Sequence, residues 1–216
     1  RLTGEQALSG FKRFPRWMWR NQEMLHFIEW LQAFNLMNEE RHHQGLDIQL
    51  LGMDLYSLFT SMEVVTNYLE GIDQEMALNA KKRFSCFDHY DKDSQLYGYM
   101  TSYSKNRMNC EQEVIDQLLE MLKKDKFQDD EYFSAIQNAR LIKNAEQYYR
   151  NMFSGKVSSW NLRDQHMVET ISNIDKFLAN KLKSPAKLII WAHNSHIGDA
   201  RFTQQGRGGE HNVGQL

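Results

Sequence analysis

The chain has 216 residues and a formal net charge of −2, and 41% of its residues are hydrophobic. This length fits one domain, or one domain with a sizeable insertion, and it is enough to bury a core. The nearly balanced charge gives no electrostatic basis for binding nucleic acid or an anionic membrane, so neither is an expected partner. Apolar windows fall short of the roughly 18 residues of a membrane span, and the first twenty residues lack the apolar core of a signal peptide, so a cytoplasmic setting is expected.

The cysteine and proline content narrows the fold class. Cys86 and Cys110 form neither a disulfide framework nor a C-x-x-C metal motif, so we expect both to be reduced and buried. Two prolines, together with many Met, Leu, Glu, Gln and Lys, favour long helices. Because no initiator methionine precedes Arg1, the chain is interpreted as a fragment of a longer protein.

The first part of the chain is an aromatic-rich segment, residues 1–20, followed by a predicted helix and loop over residues 21–46. Asn21 is the predicted N-cap of that helix. Trp17 and its aromatic neighbours carry too much apolar surface to remain in water, so the segment is expected to pack against the protein. His42 and His43 fall in the polar loop. Adjacent histidines point in different directions on most backbones, so we expect a solvated pair rather than two ligands.

Two short apolar runs are each predicted to form a buried core strand. The first is residues 47–55, which contain Asp54, and the second runs from Leu188 to Trp191 within residues 185–216. A continuous apolar run with no polar face is typical of a strand in a parallel sheet. Open α/β sheets bind ligands at the carboxyl ends of their strands, so the second run is expected to lead into an active-site loop.

Residues 56–184, between the two runs, show helical spacing of apolar residues almost throughout and predict a lobe of packed helices. Asp73, and Asp129 or Asp130, are predicted N-caps, and the last helix is predicted over residues 161–183. The predicted fold class is therefore α/β. The fragment is mostly helical, with core strands that flank a large inserted α-helical lobe.

The most chemically suggestive pair is His193-x-x-His196. Two imidazoles three residues apart, after a strand, could converge on a metal, on a substrate oxygen or on a water to be activated. The spacing alone leaves a functional pair and two polar loop residues equally open. A metal site needs a third ligand, and Asp199 follows too closely to be assigned that role.

A second polar group comprises Arg163, Asp164 and His166, which lie near the start of the predicted last helix. Asp164 there would interact favourably with the helix dipole and could hold Arg163 or a neighbouring histidine by a charge-assisted hydrogen bond. A solvated helix start is the alternative. Asp54 is open in the same way, because it could also cap a helix that begins near Ser57.

Five sequence blocks occur in order across nearly the whole chain. They are F-P-R-W-M-W-R-N at 14–21, L-G-M-D-L-Y-S-L at 51–58, A-E-Q-Y-Y-R at 145–150, W-N-L-R-D-Q-H-M at 160–167, and W-A-H-N-S-H-I-G-D-A-R at 191–201 followed by G-E-H-N-V-G-Q-L at 209–216. Together they resemble the erythromycin esterase family. The resemblance implies an α/β core that carries a helical lobe, and hydrolysis of a macrolide lactone ester in a bacterial antibiotic-resistance setting.

The resemblance also implies that His193 and His196 belong to the active-site cleft as catalytic residues. The expected substrate-binding residues are Asp54, Trp17, Arg163, His166 and Asn194. The family's N-terminal H-G-x-x-E-like block has no counterpart here, and the sequence is expected to start downstream of it. A histidine of that block is expected to deprotonate the attacking water, while His193 and His196 contact the substrate or the developing oxyanion.

The expected enzyme is thus a carboxylic-ester hydrolase that cleaves a small-molecule ester or macrolactone by histidine-activated water. A nucleophilic Ser195 is disfavoured because no G-x-S-x-G elbow is present. No cofactor is expected, although a divalent metal stays open if carboxylates of the missing block complete a shell. Two alternatives remain: a hydrolase of the same fold acting on a different ester or biosynthetic intermediate, and a non-catalytic helical small-molecule-binding module. The sequence makes no prediction of oligomeric state.

Overall fold

The computed structural model describes residues 2–11, 16–40, 48–103, 109–123, 129–153 and 155–216. The chain divides into two compact units, Arg1–Gly52 and Met53–Leu216. The predicted loop histidines, His42 and His43, lie outside the described residues.

The first unit contains three helices: α1 (Gly4–Ser9), α2 (Arg16–Trp19) and α3 (Gln22–Glu40). Asn21 caps α3 as predicted, because its side-chain oxygen accepts a hydrogen bond from the Met24 amide at 2.8 Å. The Asn35 side chain, on α3, exchanges two hydrogen bonds with the Ile48 backbone, at 2.8 and 2.9 Å. These bonds hold the start of the predicted first strand against α3.

The second unit is also helical. Its α-helices are α4 (Leu58–Ile72), α5 (Gln74–Phe84), α6 (Ser94–Tyr103), α7 (Glu111–Leu122), α8 (Asp130–Asn151), α9 (Lys156–Leu182), α10 (Asn194–Ile197) and α11 (Gln204–Arg207), and 3₁₀ turns cover Ser85–Tyr90 and Ala200–Phe202. Helices are present between residues 56 and 184 as predicted, but with no sheet among the described residues they are not an insertion in an α/β core. Helix α8 is the centre of these helices, because α4, α6, α7 and α9 all pack against it.

Local sequence features predicted several helix ends correctly. The Asp73 side chain accepts from the Met76 amide at 3.1 Å, and the Asp129 side chain accepts from the Tyr132 amide at 2.7 Å, so both predicted N-caps form. The start of α9 was predicted wrongly, since the helix begins at Lys156 rather than at 161. Asp164 therefore lies beyond the first turn, and the predicted interaction with the helix dipole does not apply to it.

The predicted α/β fold is wrong. Throughout the described residues the secondary structure is helical, and neither residues 48–55 nor the Leu188–Trp191 run forms a strand. The second run forms no ladder in the described chain, and its apolar side chains are exposed, Ile189 to 96%. An apolar run indicates a segment that gains from burial, whereas a strand also needs a second extended segment to satisfy its backbone groups. The described chain supplies no such partner.

The prediction of reduced cysteines is also wrong. Cys86, in the first 3₁₀ turn, and Cys110, just before α7, form a disulfide across a sequence separation of 24 residues, with their Cα atoms 5.9 Å apart. Their spacing in the sequence gave no sign of this proximity. In the described part of the chain, no helix combines the length and apolarity needed to cross a membrane.

Candidate active site

His193 and His196 lie in a tight turn at the end of the apolar Leu188–Trp191 run. His193 is the N-cap of α10, and its Nδ1 accepts a hydrogen bond from the Ser195 amide at 3.2 Å. The Ser195 hydroxyl is 2.9 Å from the same nitrogen. Because a nitrogen that accepts from a backbone N–H carries no proton, neutral His193 has its proton on Nε2.

The Nδ1 atom of His196 has the opposite hydrogen-bonding role to that of His193. Its Nδ1 lies 2.9 and 3.1 Å from the two carboxylate oxygens of Asp164 on α9. Since a carboxylate only accepts hydrogen bonds, Nδ1 of His196 donates, and Nε2 of the neutral ring carries a lone pair. In the described part of the chain, no hydrogen bond occupies Nε2 of either histidine. The turn thus offers one imidazole as a donor and one as an acceptor.

The ring of His196 is fixed from a second side by Trp160. The two rings stack almost in parallel, with centroids 4.7 Å apart and an interplanar angle of 6°. The Trp160 indole N–H donates to the His211 carbonyl at 2.8 Å. This contact ties the start of α9 to the last residues of the chain.

The C-terminal segment, residues 209–216, braces the histidine turn. The Asn212 side chain donates to the Ser195 carbonyl at 2.9 Å and accepts from the Ala200 amide at 3.2 Å. The Gly214 amide donates to the His196 carbonyl at 2.9 Å. A Cβ at Gly214 would lie 2.3 Å from the Ile197 carbonyl oxygen, so this close approach needs glycine.

The three polar residues of α9 have different partners. The Arg163 guanidinium donates from Nε and Nη2 to the two oxygens of Asp54, at 2.9 and 2.7 Å, and lies 4.8 Å from the centre of the Tyr56 ring. Burial lowers the pKa of Arg163, but the hydrogen bonds and charge of Asp54 more than offset it, so the pKa is raised. Asp54 does not cap α4. It receives the Leu55 amide instead, at 2.8 Å.

His166 points towards α8. Its Nδ1 is 2.9 Å from Nδ2 of Asn144, and its Nε2 is 3.5 Å from the Thr170 hydroxyl. The residue is only 3% exposed, and burial lowers the pKa of its imidazole from 6.5 to about 4. His166 is therefore neutral at physiological pH, and its predicted contact with substrate stays a prediction.

The other expected substrate-binding residues occupy separate positions. Asn194 is the first residue of α10, where it is exposed beside His193, and Trp17 lies on α2 of the first unit with 68% of its surface exposed. A cavity of about 630 Å³ opens between α4 and α5 in the second unit and contains none of the predicted site residues. Among the described residues, no three His, Cys, Asp or Glu side chains are grouped so that they could bind a metal ion.

Sequence reasoning raised a histidine as a partner of Asp164 without identifying His196, and it missed the contacts of Trp160 and Asn212. The signal was present, since Asp164, Trp160 and Asn212 lie in blocks that carry the family resemblance, 160–167 and 209–216, and the structure brings those blocks onto the histidine turn.

A buried carboxylate that holds one imidazole nitrogen while the other stays free is an arrangement typical of hydrolytic enzymes. The chain belongs to the erythromycin esterase family: the family model described as Erythromycin esterase matches residues 2–216. Membership indicates a hydrolase of the erythromycin esterase type and a small-molecule substrate of the macrolide class. No solved structure matches the chain.

Proposed function

We propose that this protein is a carboxylic-ester hydrolase that cleaves an ester or macrolactone with water activated by histidine. Family membership supports the reaction class. The observation that carries the mechanism is the pair of opposite tautomers in one turn, with Nδ1 of His193 accepting from Ser195 and Nδ1 of His196 donating to Asp164.

In the proposed step, a water hydrogen-bonded to Nε2 of His196 attacks the acyl carbon, and its proton passes to that nitrogen. The Nε2–H of His193 donates to the acyl oxygen, where negative charge develops. Collapse of the tetrahedral intermediate breaks the acyl C–O bond. The leaving alkoxide takes the proton from His196, so the products are an acid and an alcohol, and the two histidines return to their starting state.

The proposed contacts with substrate are inferred from where the side chains of Asn194 and Arg163 lie. Asn194 stands next to His193 and offers an amide to polar groups of the substrate. Arg163 uses two of its five N–H donors on Asp54, which leaves further donors for a ligand. The expected contacts of Trp17 and His166 belong to the same proposal.

The direct test incubates the full-length protein with erythromycin and follows the product by mass spectrometry. We expect a gain of one water per macrolide. Binding without any mass gain would contradict the esterase and favour a small-molecule-binding module. A mass gain with simple esters but not with erythromycin would indicate a hydrolase that acts on a different ester.

Replacing the two histidines separates chemistry from folding. His193→Ala and His196→Ala are each expected to lower kcat by about 10²-fold or more, because each removes a group that exchanges or stabilises charge in the transition state. Ser195→Ala is the matched control in the same turn and is expected to keep most of the turnover. A loss of activity in Ser195→Ala as large as that in His193→Ala would instead indicate a serine nucleophile.

The proposed step needs no cofactor, so turnover is expected to survive dialysis against EDTA, with metal content followed by elemental analysis. If activity is lost and Zn²⁺ or Mg²⁺ restores it, the water is activated by a metal ion rather than by histidine. The cytoplasmic setting stays a prediction, which fractionation of cells that express the full-length protein would check.

A further inference from the structure

We propose that Asp164 is a positioning residue that fixes the tautomer and the orientation of His196, so that Nε2 faces the reaction as a proton acceptor. The claim about the tautomer stands on the structure alone, whereas its effect on turnover rests on the proposed esterase function. The carboxylate of Asp164 is fully buried and contacts Nδ1 of His196 through both oxygens, at 2.9 and 3.1 Å.

The other contacts of Asp164 explain why the carboxylate itself cannot rotate away. Its Oδ1 also accepts a hydrogen bond from the Val213 amide at 3.1 Å. The neighbouring cation on α9, Arg163, is turned to Asp54. Among the residues that the structure describes, His196 is therefore the ionisable side chain that pairs with Asp164.

A buried carboxylate of this kind selects one tautomer of its partner. If Nδ1 of His196 lost its proton, its lone pair would face the two acceptor oxygens of a fully buried carboxylate, which is strongly unfavourable. With the proton on Nδ1, the same contact becomes a charge-assisted hydrogen bond. The ring also keeps its plane because Trp160 stacks on it, so Nε2 has a defined direction as well as a defined protonation state.

The decisive variant is Asp164→Asn in the full-length protein. Asparagine has nearly the same size. With its oxygen at the Oδ1 position it keeps the Val213 contact, but it replaces Oδ2, which lies 3.1 Å from Nδ1 of His196, with an NH₂ group that needs an acceptor. Nitrogen-15 NMR of the imidazoles, with the His196 signal assigned from a His196→Gln sample, is expected to show the proton on Nδ1 in the wild type and on Nε2 in the variant. With erythromycin as substrate, kcat is expected to fall by about 10²-fold while KM changes by less than about threefold.

Asp199→Asn is the matched control. Asp199 lies three residues after His196, and its carboxylate pairs with Arg201 and caps the 3₁₀ turn Ala200–Phe202, away from the imidazole. Its substitution removes one negative charge from the same loop, so it is expected to leave both the His196 tautomer and kcat unchanged.

Each outcome decides a separate claim. A wild-type spectrum with the His196 proton on Nε2 overturns the proposal without any assay of activity. A reversed tautomer in Asp164→Asn with unchanged kcat also overturns it, as does a fall in melting temperature with the wild-type tautomer and a raised KM, which would make Asp164 purely structural. If the wild type does not hydrolyse erythromycin but the tautomer responds as expected, the esterase proposal fails and the positioning role stands.

Discussion

Two buried carboxylates of the second unit are held by different kinds of partner. Glu146, in the centre of α8, is 1% exposed and receives the Tyr97 hydroxyl at 2.6 Å and two donors of Arg150, at 2.8 and 3.1 Å. Asp164, on α9, is fully buried but contacts an imidazole and a backbone amide. One acid has a permanent cation as its partner, and the other has a group that can exchange a proton.

The difference fits a structural role for Glu146 and the positioning role proposed for Asp164. Arg150 is always charged, so Glu146 is neutralised at every pH at which it is ionised, and the cluster links α6, α7 and α8 through Tyr97 and Glu111. Burial and the charge of Glu146 raise the pKa of Tyr97, so this phenol stays a donor. Asp164 instead leaves its partner free to gain or lose a proton at Nε2, which is what catalysis needs.

Glu146→Gln is expected to give the largest effect on stability. The substitution removes the buried counter-charge of the Arg150 guanidinium and leaves only the more exposed carboxylate of Glu111 beside it, which should lower the free energy of unfolding by about 4 kcal/mol. Urea titration measures this loss, and kcat per folded molecule should stay close to that of the wild type. Glu63→Gln, in an exposed pair with Lys92, is the control and should not change stability measurably.

That comparison would fail if Glu146→Gln kept its stability and lost turnover. Such a result would indicate that the reaction depends on Glu146, in the centre of the helical lobe. The contact between Asp164 and His196 would then be structural.

His166 makes the stability of the folded chain depend on pH. Its folded-state pKa, about 4, lies below the ordinary value of 6.5, so the unfolded chain binds the proton first as the pH falls. The stabilising effect is complete above pH 6.5 and is lost as the pH falls towards 4. Because one pKa unit corresponds to about 1.4 kcal/mol, the loss should total about 3 kcal/mol.

Urea titrations at several pH values between 7 and 4 would measure this slope, and His166→Gln should flatten it. An equally steep slope in the variant would assign the pH dependence to other groups. If His166 also binds substrate, the same variant should raise KM at pH 7.

Local signals in the sequence were reliable guides to the helices. Asn21, Asp73 and Asp129 cap the helices that they were predicted to cap, because a cap depends on a side chain and an amide two or three residues away. The Leu188–Trp191 run shows the limit of this reasoning. Its apolar pattern is local, but the pairing that makes a strand is not, and the described chain supplies no partner.

The candidate site shows the same limit. The sequence brought out His193 and His196 as a pair and raised the possibility that Asp164 holds a histidine, but His196 is 32 residues away from Asp164 and the spacing could not identify it. The disulfide between Cys86 and Cys110 was missed for the same reason. The family resemblance was the most informative signal, because its blocks are the segments that contact one another around the histidine turn.

The smallest expected effect concerns Arg163, next to Asp164 on α9. Arg163→Lys keeps the positive charge but replaces the planar, two-pronged contact with Asp54 by a single ammonium and removes the guanidinium from the Tyr56 ring. Stability should fall by about 1 kcal/mol. If the remaining donors of Arg163 bind substrate, KM for erythromycin should rise about threefold with kcat nearly unchanged, since a loss of uniform binding appears in KM alone. A fall in stability without any change in KM would make the Arg163–Asp54 pair a structural contact, and Asp164 would then be the functional polar residue of this turn of α9.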